Sequence, residues 1–457
     1  MNPPGDIVLC SCYELGHQPH GLAAPLAALR AAGFEPLCLD LAVDELDEAA
    51  LTRLARARLV AISVPMHTAL RLGVALAARV RALNPTVQLC FYGLYAPLNA
   101  DYLRRVGADA VLGAEYEAEL VALAQGGAPA AQAAPGPRAM RRPAYLRPAR
   151  AGLPVLARYA RLLVGEERRV AGYTEASRGC LHMCRHCPIP PVYEGRFFAV
   201  PVDVVLADVA QQVAAGAQHV TFGDADFLNG PKHALAVARG LHAAHPDVTF
   251  DCTVKIEHIL RHPDVWPELA GLGCVFVVSA VESLSQPILT LLDKGHTRAD
   301  VLTALALVRA AGISLRPTFL PFTPWTTIDD YLDLCHFVLH HDLTAEVDPV
   351  QLSLRLLLPP GSLLLERPEM RPHLGVLDQE RLSYAWTHPD PRMDRLQVTV
   401  ATLVEEAMRT HEPAALTFAR IHDLAAAAAG RAPLSPPPSL DPLRRIAPPR
   451  LSESWFC

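Results

Sequence analysis

The sequence lacks the segments that would direct a protein into or across a membrane. Its first residues, MNPPGDIVLCSCYELG, contain no basic stretch followed by a long apolar run, so no signal peptide is predicted. No apolar segment reaches the ~18 residues that a membrane-spanning helix needs. We therefore expect a soluble, cytoplasmic protein without a membrane partner.

Basic tracts with interleaved aromatic residues are also missing, and the formal net charge is -6. This composition argues against a nucleic-acid partner, which a clustered positive charge would favour. The chain of 457 residues is 51% hydrophobic and 19% charged, so it can bury a large core. Its length predicts two or three domains.

Residues 1–125 alternate short apolar strands with amphipathic helices. Strands that are nearly continuous apolar runs, such as LVAISV, are typical of a parallel sheet covered on both faces. We predict a doubly wound, Rossmann-like domain here. Residues 126–152 are rich in Ala, Pro, Gly and Arg with little core pattern, and this composition predicts a linker.

The alternation resumes in residues 153–368, where six β/α units predict a partial (β/α)6 barrel with its chemistry at the C-terminal ends of the strands. Residues 369–430 have helical spacing. The proline-rich residues 431–457 predict an irregular tail that ends in Cys457. The fold class is therefore α/β, with a mostly helical C-terminal region.

Eleven cysteines are present, and five of them lie singly in apolar segments, where core packing is the expected role: Cys38, Cys90, Cys252, Cys274 and Cys335. The stretch SRGCLHMCRHC instead spaces three as Cys180-x3-Cys184-x2-Cys187. A zinc site would need a fourth ligand, for which His182 and His186 are the local candidates, and no second C-x2-C exists. A [4Fe–4S] cluster could take three thiolates and leave its fourth iron open to a substrate.

A C-x3-C-x2-C loop after the first strand of a β/α barrel resembles the radical SAM enzymes. The resemblance implies that Cys180, Cys184 and Cys187 hold a [4Fe–4S] cluster whose open iron binds S-adenosylmethionine (SAM). An external electron donor such as flavodoxin or ferredoxin would then drive cleavage of a C–S bond and release a carbon radical toward a small-molecule substrate.

The same resemblance assigns further residues to SAM. His186 stands where the family usually has an aromatic residue beside the adenine. Gly223 and Asp224 match a Gly-Gly-Glu-like turn that holds the methionyl amino group, for which a carbonyl and a carboxylate are suited.

Ser279 and Glu282, at the end of the fourth strand, match the position of ribose-binding residues. Arg316 is expected to pair with the SAM carboxylate. Four further polar residues fall at strand ends facing the expected cavity and are candidates for substrate contact or catalysis: Asp226, Lys255, Glu257 and His258.

Residues 5–125 resemble the cobalamin-binding domain that precedes the barrel in one large radical SAM class. The D-x-H-x-x-G motif that supplies an axial histidine is absent, because the loop reads GHQPHG from Gly16 to Gly21. Two readings follow from this resemblance. The domain binds cobalamin without that histidine, as in a cobalamin-dependent radical SAM methyltransferase, or it is a scaffold or substrate lid.

The terminal sequence LSESWFC and the overall architecture resemble radical SAM proteins called CUAEP/CCAEP-tail and RCCLKC-tail proteins. A member of the RCCLKC group acts in arsinothricin biosynthesis, so the resemblance implies 3-amino-3-carboxypropyl transfer to trivalent arsenic or another soft centre, with Cys457 binding or delivering it. It also implies that the reading frame continues past Cys457 through a selenocysteine codon. A rival from another class is a zinc- or metalloid-binding sensor.

Overall fold

The computed structural model describes residues 6–127, 144–434 and 447–453. The first of these parts is a sheet of five strands with helices on both faces. The strands are β1 (Ile7–Ser11), β2 (Leu37–Asp40), β3 (Leu59–Ser63), β4 (Gln88–Tyr92) and β5 (Ala110–Val111). The helices are α1 (His20–Ala31), α2 (Glu48–Arg56), α3 (His67–Leu83), α4 (Tyr95–Leu98), α5 (Ala100–Arg105) and α6 (Glu117–Ala124).

Every neighbouring pair of strands in this sheet is parallel, in the order β2-β1-β3-β4-β5. Successive side chains of β1 enter opposite cores, because Val8 packs with one apolar cluster and Leu9 with the other. Burial on both faces explains why β1 and β3 are continuous apolar runs. The predicted doubly wound sheet is confirmed.

A second sheet of seven strands dominates the rest of the chain. Its strands are β6 (Arg161–Val164), β7 (Glu167–Thr174), β10 (His219–Phe222), β11 (Thr249–Thr253), β12 (Cys274–Glu282), β13 (Ser314–Phe319) and β16 (Arg450–Leu451), and a separate short pair is β8 (Ser177–Gly179) with β9 (Phe197–Ala199). The helices are α7 (Pro190–Tyr193), α8 (Val202–Ala214), α9 (Pro231–Ala244), α10 (Ile256–Arg261), α11 (Val265–Gly271), α12 (Gln286–Leu292), α13 (Arg298–Ala310) and α14 (Ile328–His340).

The order of this sheet is β13-β12-β11-β10-β7-β6-β16. Strands β7, β10, β11, β12 and β13 pair in parallel, while β6 and β16 add antiparallel neighbours at the β7 edge. The C-terminal ends of the five parallel strands therefore share one edge, where the loops that follow them meet.

The sixth strand expected near residue 350 is reduced to a single parallel bridge between Phe322 and Arg355. The Asp348 side chain accepts a hydrogen bond from the Val350 backbone N–H and starts a short 3-10 helix, Pro349–Ser353, in place of the strand. The open sheet is thus a half-barrel of five parallel strands.

The C-terminal region is helical from residue 391, as α15 (Pro391–Thr410) and α16 (Ala414–Ala428). A hairpin of β14 (Leu374–Asp378) and β15 (Ser383–Trp386) precedes it and was not predicted. The expected irregular tail contributes one short strand, β16, because Leu451 packs with Leu162 and Phe276 inside the half-barrel. The predicted domain boundaries stay predictions, and most of the predicted linker lies outside the described residues.

Among the described residues, no helix combines the length and hydropathy that crossing a bilayer requires.

Candidate functional site

The three clustered cysteines lie on a loop that leaves β8, just after the first parallel strand, β7. The loop closes on itself because the backbone N–H of Cys180 donates to the Arg196 carbonyl at 3.0 Å. Gly179 has a φ of +81°, and a Cβ there would lie 2.4 Å from that same carbonyl oxygen. Only glycine fits this position, so the residue before Cys180 fixes the course of the loop.

The three thiols converge within this loop. Cys184 is buried, and Cys180 and Cys187 are partly buried. The pKa of Cys187 is raised to about 12, mainly by burial and in part by the sulfurs of Cys184 and Cys180, against the opposing effects of the Ile189 backbone N–H and Lys294. Burial favours the protonated thiols, and a bound metal displaces those protons because it binds thiolates. Three neighbouring sulfurs on a partly buried loop therefore suit a metal cluster.

Neighbouring elements hold the loop in place through polar contacts that the sequence did not reveal. The Arg185 backbone N–H donates to the Leu292 carbonyl at 3.0 Å, and its guanidinium donates to the Thr290 carbonyl at 3.0 Å, so α12 fixes one side. On the other side the Asn229 side chain accepts from the Leu181 N–H at 3.3 Å. No sequence signal distinguished Arg185 or Asn229 from ordinary surface residues.

Two predicted SAM-binding residues are brought together beside the cysteines. Nε2 of His186 lies 3.0 Å from Oε1 of Glu282, and Nζ of Lys294 lies 3.5 Å from the same oxygen. Burial alone would raise the pKa of Glu282, but Lys294 and His186 together lower it to about 2. Glu282 is therefore ionised at neutral pH and can accept hydrogen bonds from a ligand hydroxyl.

Ser279 and Arg316 lie on opposite faces of the sheet. Arg316 pairs with Val278, which packs in the cluster inside the half-barrel, whereas Ser279 follows Val278 along the strand and so faces the helix layer. Burial lowers the pKa of Arg316 to about 10, with a contribution from Arg450, and among the described residues its guanidinium donates to the Ala345 carbonyl, at 3.5 Å. Arg316 is therefore a candidate for ligand contact, whereas contact between the fully buried Ser279 hydroxyl and a ligand stays a prediction.

Gly223 and Asp224 follow β10, as the sequence predicted, but their surroundings are close-packed. A Cβ on Gly223 would lie 1.8 Å from the Tyr173 hydroxyl. The Asp224 carboxylate is buried and accepts from the Ala176 N–H at 2.9 Å and from the Ser177 hydroxyl. In this structure Asp224 therefore holds the strand that leads to Cys180, and its predicted contact with an amino group stays a prediction.

Replacing Asp224 with asparagine is expected to change how stability depends on pH. Burial raises the pKa of Asp224 to about 7, well above the value of about 4 that is usual for aspartate, so between these values the folded chain binds more protons than the unfolded chain. This group therefore costs stability progressively as pH rises from about 4 to about 7, at up to about 1.4 kcal/mol per pH unit. Urea midpoints of D224N relative to the unsubstituted chain should rise over this range and level off above it. A constant offset between the two proteins would contradict the assignment.

The four candidate substrate contacts form one connected group with His182. Nζ of Lys255 lies 3.2 Å from Oε2 of Glu257 and 3.1 Å from Nδ1 of His182. The Asp226 carboxylate accepts from the Leu228 and Lys255 backbone N–H groups, and its Oδ2 lies 2.8 Å from Nδ1 of His258. From the sequence, His182 was a candidate only for zinc binding, and its position beside these strand ends was not predicted.

The remaining predicted residue, Cys457, lies outside the described residues, as do Trp455 and Phe456.

The N-terminal sheet contacts the half-barrel through buried charge next to the cysteine loop. The Arg178 guanidinium donates to Glu117 at 2.7 Å, to Glu115 at 3.2 Å and to Glu175 at 2.8 Å. Glu115 and Glu117 follow β5, whereas Glu175 follows β7, so one guanidinium joins the C-terminal edges of both sheets. Arg178 precedes the cysteine loop by two residues, and its role was not predicted.

The two histidines of the loop after β1 both contact residues outside the N-terminal sheet. The His17 ring packs on Tyr173 with 4.8 Å between centroids. Nε2 of His20 lies 3.4 Å from Glu175, and its Nδ1 lies 3.5 Å from the Arg150 guanidinium. These contacts join the loop after β1 to the half-barrel, and whether the domain binds cobalamin stays a prediction.

Comparison with known proteins identifies the segment that carries the cysteines. Residues 174–338 match the family model described as the radical SAM superfamily. Among curated proteins, the ribosomal protein uS12 methylthiotransferase RimO of Trichlorobacter lovleyi is 24% identical over 181 residues, covering 36% of this chain and 39% of that protein. The tRNA-2-methylthio-N(6)-dimethylallyladenosine synthase of Alkalilimnicola ehrlichii is 25% identical over 200 residues, covering 40% of this chain and 44% of that protein.

This chain thus spans about two fifths of the length of these relatives. Two solved structures resemble more of it. The cobalamin-dependent SAM radical enzyme OxsB, with aqua-cobalamin and SAM bound, aligns with a TM-score of 0.69 at 14% identity, covering 88% of this chain and 67% of OxsB. The radical SAM methyltransferase TsrM of Kitasatospora setae aligns with a TM-score of 0.63 at 17% identity, covering 87% of this chain and 89% of TsrM. The predicted fold class is confirmed, and the tail resemblance stays a prediction.

Proposed function

We propose, from the premise that residues 174–338 form a radical SAM domain, that this chain is a transferase that cleaves SAM reductively and forms a new bond to a small substrate. The observation that carries the proposal is the convergence of Cys180, Cys184 and Cys187 on the loop after the first parallel strand of the half-barrel. A [4Fe–4S] cluster held there supplies, when bound, the electron that breaks a C–S bond of SAM and yields a carbon radical.

The chain's own residues would bind and orient SAM. Glu282, ionised and held by His186 and Lys294, is placed to accept hydrogen bonds from ribose hydroxyls. The Arg316 guanidinium, which faces the inside of the half-barrel, would pair with a carboxylate. Reduction requires an external electron donor, for which flavodoxin or ferredoxin is the proposed class.

Two group transfers are compatible with this site. Methyl transfer with cobalamin is supported by the fold likeness to OxsB and TsrM, and by the parallel N-terminal sheet whose edge faces the half-barrel. Transfer of a 3-amino-3-carboxypropyl group to trivalent arsenic or another soft centre is supported by the resemblance of the tail that ends in Cys457. The two differ in which C–S bond of SAM breaks.

Mass spectrometry of SAM products distinguishes these transfers. The full chain is reconstituted without oxygen, reduced, and incubated with SAM with and without added cobalamin. S-adenosylhomocysteine that appears only with cobalamin identifies methyl transfer. 5′-Methylthioadenosine identifies aminocarboxypropyl transfer, and 5′-deoxyadenosine identifies hydrogen abstraction by an adenosyl radical. The proposal would be contradicted if the unsubstituted chain, at full iron content, formed none of these products above the level of a Cys184→Ala protein.

A further inference from the structure

A second group of metal-ligating side chains lies at the same edge of the half-barrel, beside the cysteine loop. His182 belongs to that loop, Asp226 follows β10, and His258 lies on α10 after β11. One ligand atom from each of the three residues lies within 4.8 Å of the others. Three successive strand ends therefore direct two imidazoles and one carboxylate to a common point.

The ligand atoms in this group are buried and poorly satisfied. Asp226 is 1% exposed and His258 is 3% exposed. Nε2 of His182 and Nδ1 of His258 have no hydrogen-bond partner among the described residues, although they lie 3.7 Å and 2.8 Å from Oδ2 of Asp226. A buried nitrogen without a hydrogen bond costs free energy, so Nε2 of His182 is open to a further partner, while Nδ1 of His258 contacts the same carboxylate oxygen that would share that partner.

We propose that His182, Asp226 and His258 bind a divalent first-row transition-metal ion such as Zn²⁺, Fe²⁺ or Mn²⁺. The ligands are Nε2 of His182, a carboxylate oxygen of Asp226 and Nδ1 of His258. Two histidines and one carboxylate are a donor set that such ions accept in proteins while retaining open coordination positions. Those positions suit an oxygen or nitrogen atom of the substrate, next to the loop that carries the cysteines.

The residues around the group supply the support that a ligating histidine needs. Oε2 of Glu257 lies 3.7 Å from Nδ1 of His182, so a shift of about 0.7 Å would let the carboxylate accept a hydrogen bond from the N–H that this nitrogen carries when Nε2 binds a metal. Lys255, now 3.1 Å from Nδ1 of His182, would then give up that contact and keep its ion pair with Glu257 at 3.2 Å. The ammonium charge of Lys255 is thereby offset beside the metal.

Zinc binding to the full-length holoenzyme tests this site. The reconstituted protein is treated with EDTA, desalted, and titrated with Zn²⁺ against a chromophoric chelator. Only protein with a complete iron complement is used, because empty cysteines would themselves bind zinc. We expect one zinc ion per chain in addition to the cluster iron. D226N and H258Q should each weaken zinc binding by more than about 100-fold, since replacing a residue that only contacts a metal ligand already costs about 10–100-fold in affinity.

Two further variants make the result specific. E257Q keeps all three ligands and should weaken zinc binding by about 10–100-fold, less than D226N and H258Q do. H262Q changes a neighbouring ring, 6.1 Å from that of His258, and should bind zinc like the unsubstituted chain. C184A, whose cluster is incomplete, is excluded from the titration. Failure of the unsubstituted holoenzyme to take up zinc, or undiminished binding by D226N and H258Q, overturns the site.

This site goes beyond the proposed function and rests on it only in that the titration needs the assembled cluster. The titration uses neither SAM nor a reductant, so a chain that holds its cluster but does not cleave SAM would still report zinc binding, and a chain that binds no zinc would still report SAM products. If no cluster assembles, the test is whether D226N and H258Q each bind one zinc ion fewer than the unsubstituted chain.

Discussion

The Cys184→Ala protein is expected to lose iron binding and SAM cleavage together. Cys184 is the buried member of the three thiols. Three thiolates hold three of the four irons and leave the fourth open for SAM, so no thiol is spare. Product formation should fall by more than about 100-fold, since loss of a residue that only contacts a metal ligand already lowers activity by about 10–100-fold. Iron content, visible absorbance and SAM products measured on the same reconstituted sample check this.

Cys335→Ala is the matched control for this substitution. Cys335 is fully buried on α14 within the apolar core, so its replacement removes a sulfur of the same chemistry without touching the loop. It should cost about 1 kcal/mol of stability and leave iron content unchanged. If Cys184→Ala retained iron at the level of this control, the ligand assignment would be wrong.

Arg178→Met is expected to destabilise the contact between the two sheets by about 3–5 kcal/mol, the cost of leaving buried charges without their partner. Its guanidinium is the shared partner of Glu115, Glu117 and Glu175, and methionine replaces much of its apolar length without the charge. Burial raises the pKa of Glu115 to about 7 even though Arg178 lowers it. Arg178 lowers the pKa of both Glu115 and Glu175, so without it these two carboxylates should take up protons more readily, and the defect should shrink as pH falls toward 5.

Denaturant midpoints at several pH values measure this effect. Arg169→Met is the control, because its ion pair with Glu167 is exposed to solvent and contributes little. An Arg178→Met protein that unfolds like Arg169→Met, or whose defect does not vary with pH, would show that the buried network does not hold the sheets together. Because Arg178 lies two residues before Cys180, we also expect the variant to lose iron faster than the control.

The alternation of apolar strands and amphipathic helices was sufficient to predict both sheets, because burial on two faces leaves a signal in each strand. The sixth strand was mispredicted because VQLSLRLLLP has the composition of a strand, while the cap from Asp348 starts a 3-10 helix. The hairpin of β14 and β15 was missed since its residues are mostly partly exposed and carry a weak alternating pattern. Hydrogen bonds determine the structure of both segments, and the periodicity of apolar residues in the sequence does not reveal such bonds.

The candidate site was also predicted only in part. Cysteine spacing predicted the loop, and residue position predicted that Glu282 and Asp226 lie at the strand ends beside it, whereas the roles of these residues stay predictions. Asn229 and Arg178 act through contacts with residues 48 and 61 positions away along the chain, which only the folded structure brings together. The position of His182 opposite Asp226 likewise depends on how β10 and the cysteine loop meet.

Electron paramagnetic resonance of the reduced full chain tests the central claim most directly. A cluster held by Cys180, Cys184 and Cys187 has one iron without a protein thiolate, to which SAM can bind. We predict a reduced [4Fe–4S] signal whose shape changes when SAM is added, and no such signal from the Cys184→Ala protein. A reduced cluster whose signal is the same with and without SAM would contradict the account, as would a reconstituted chain that holds no iron.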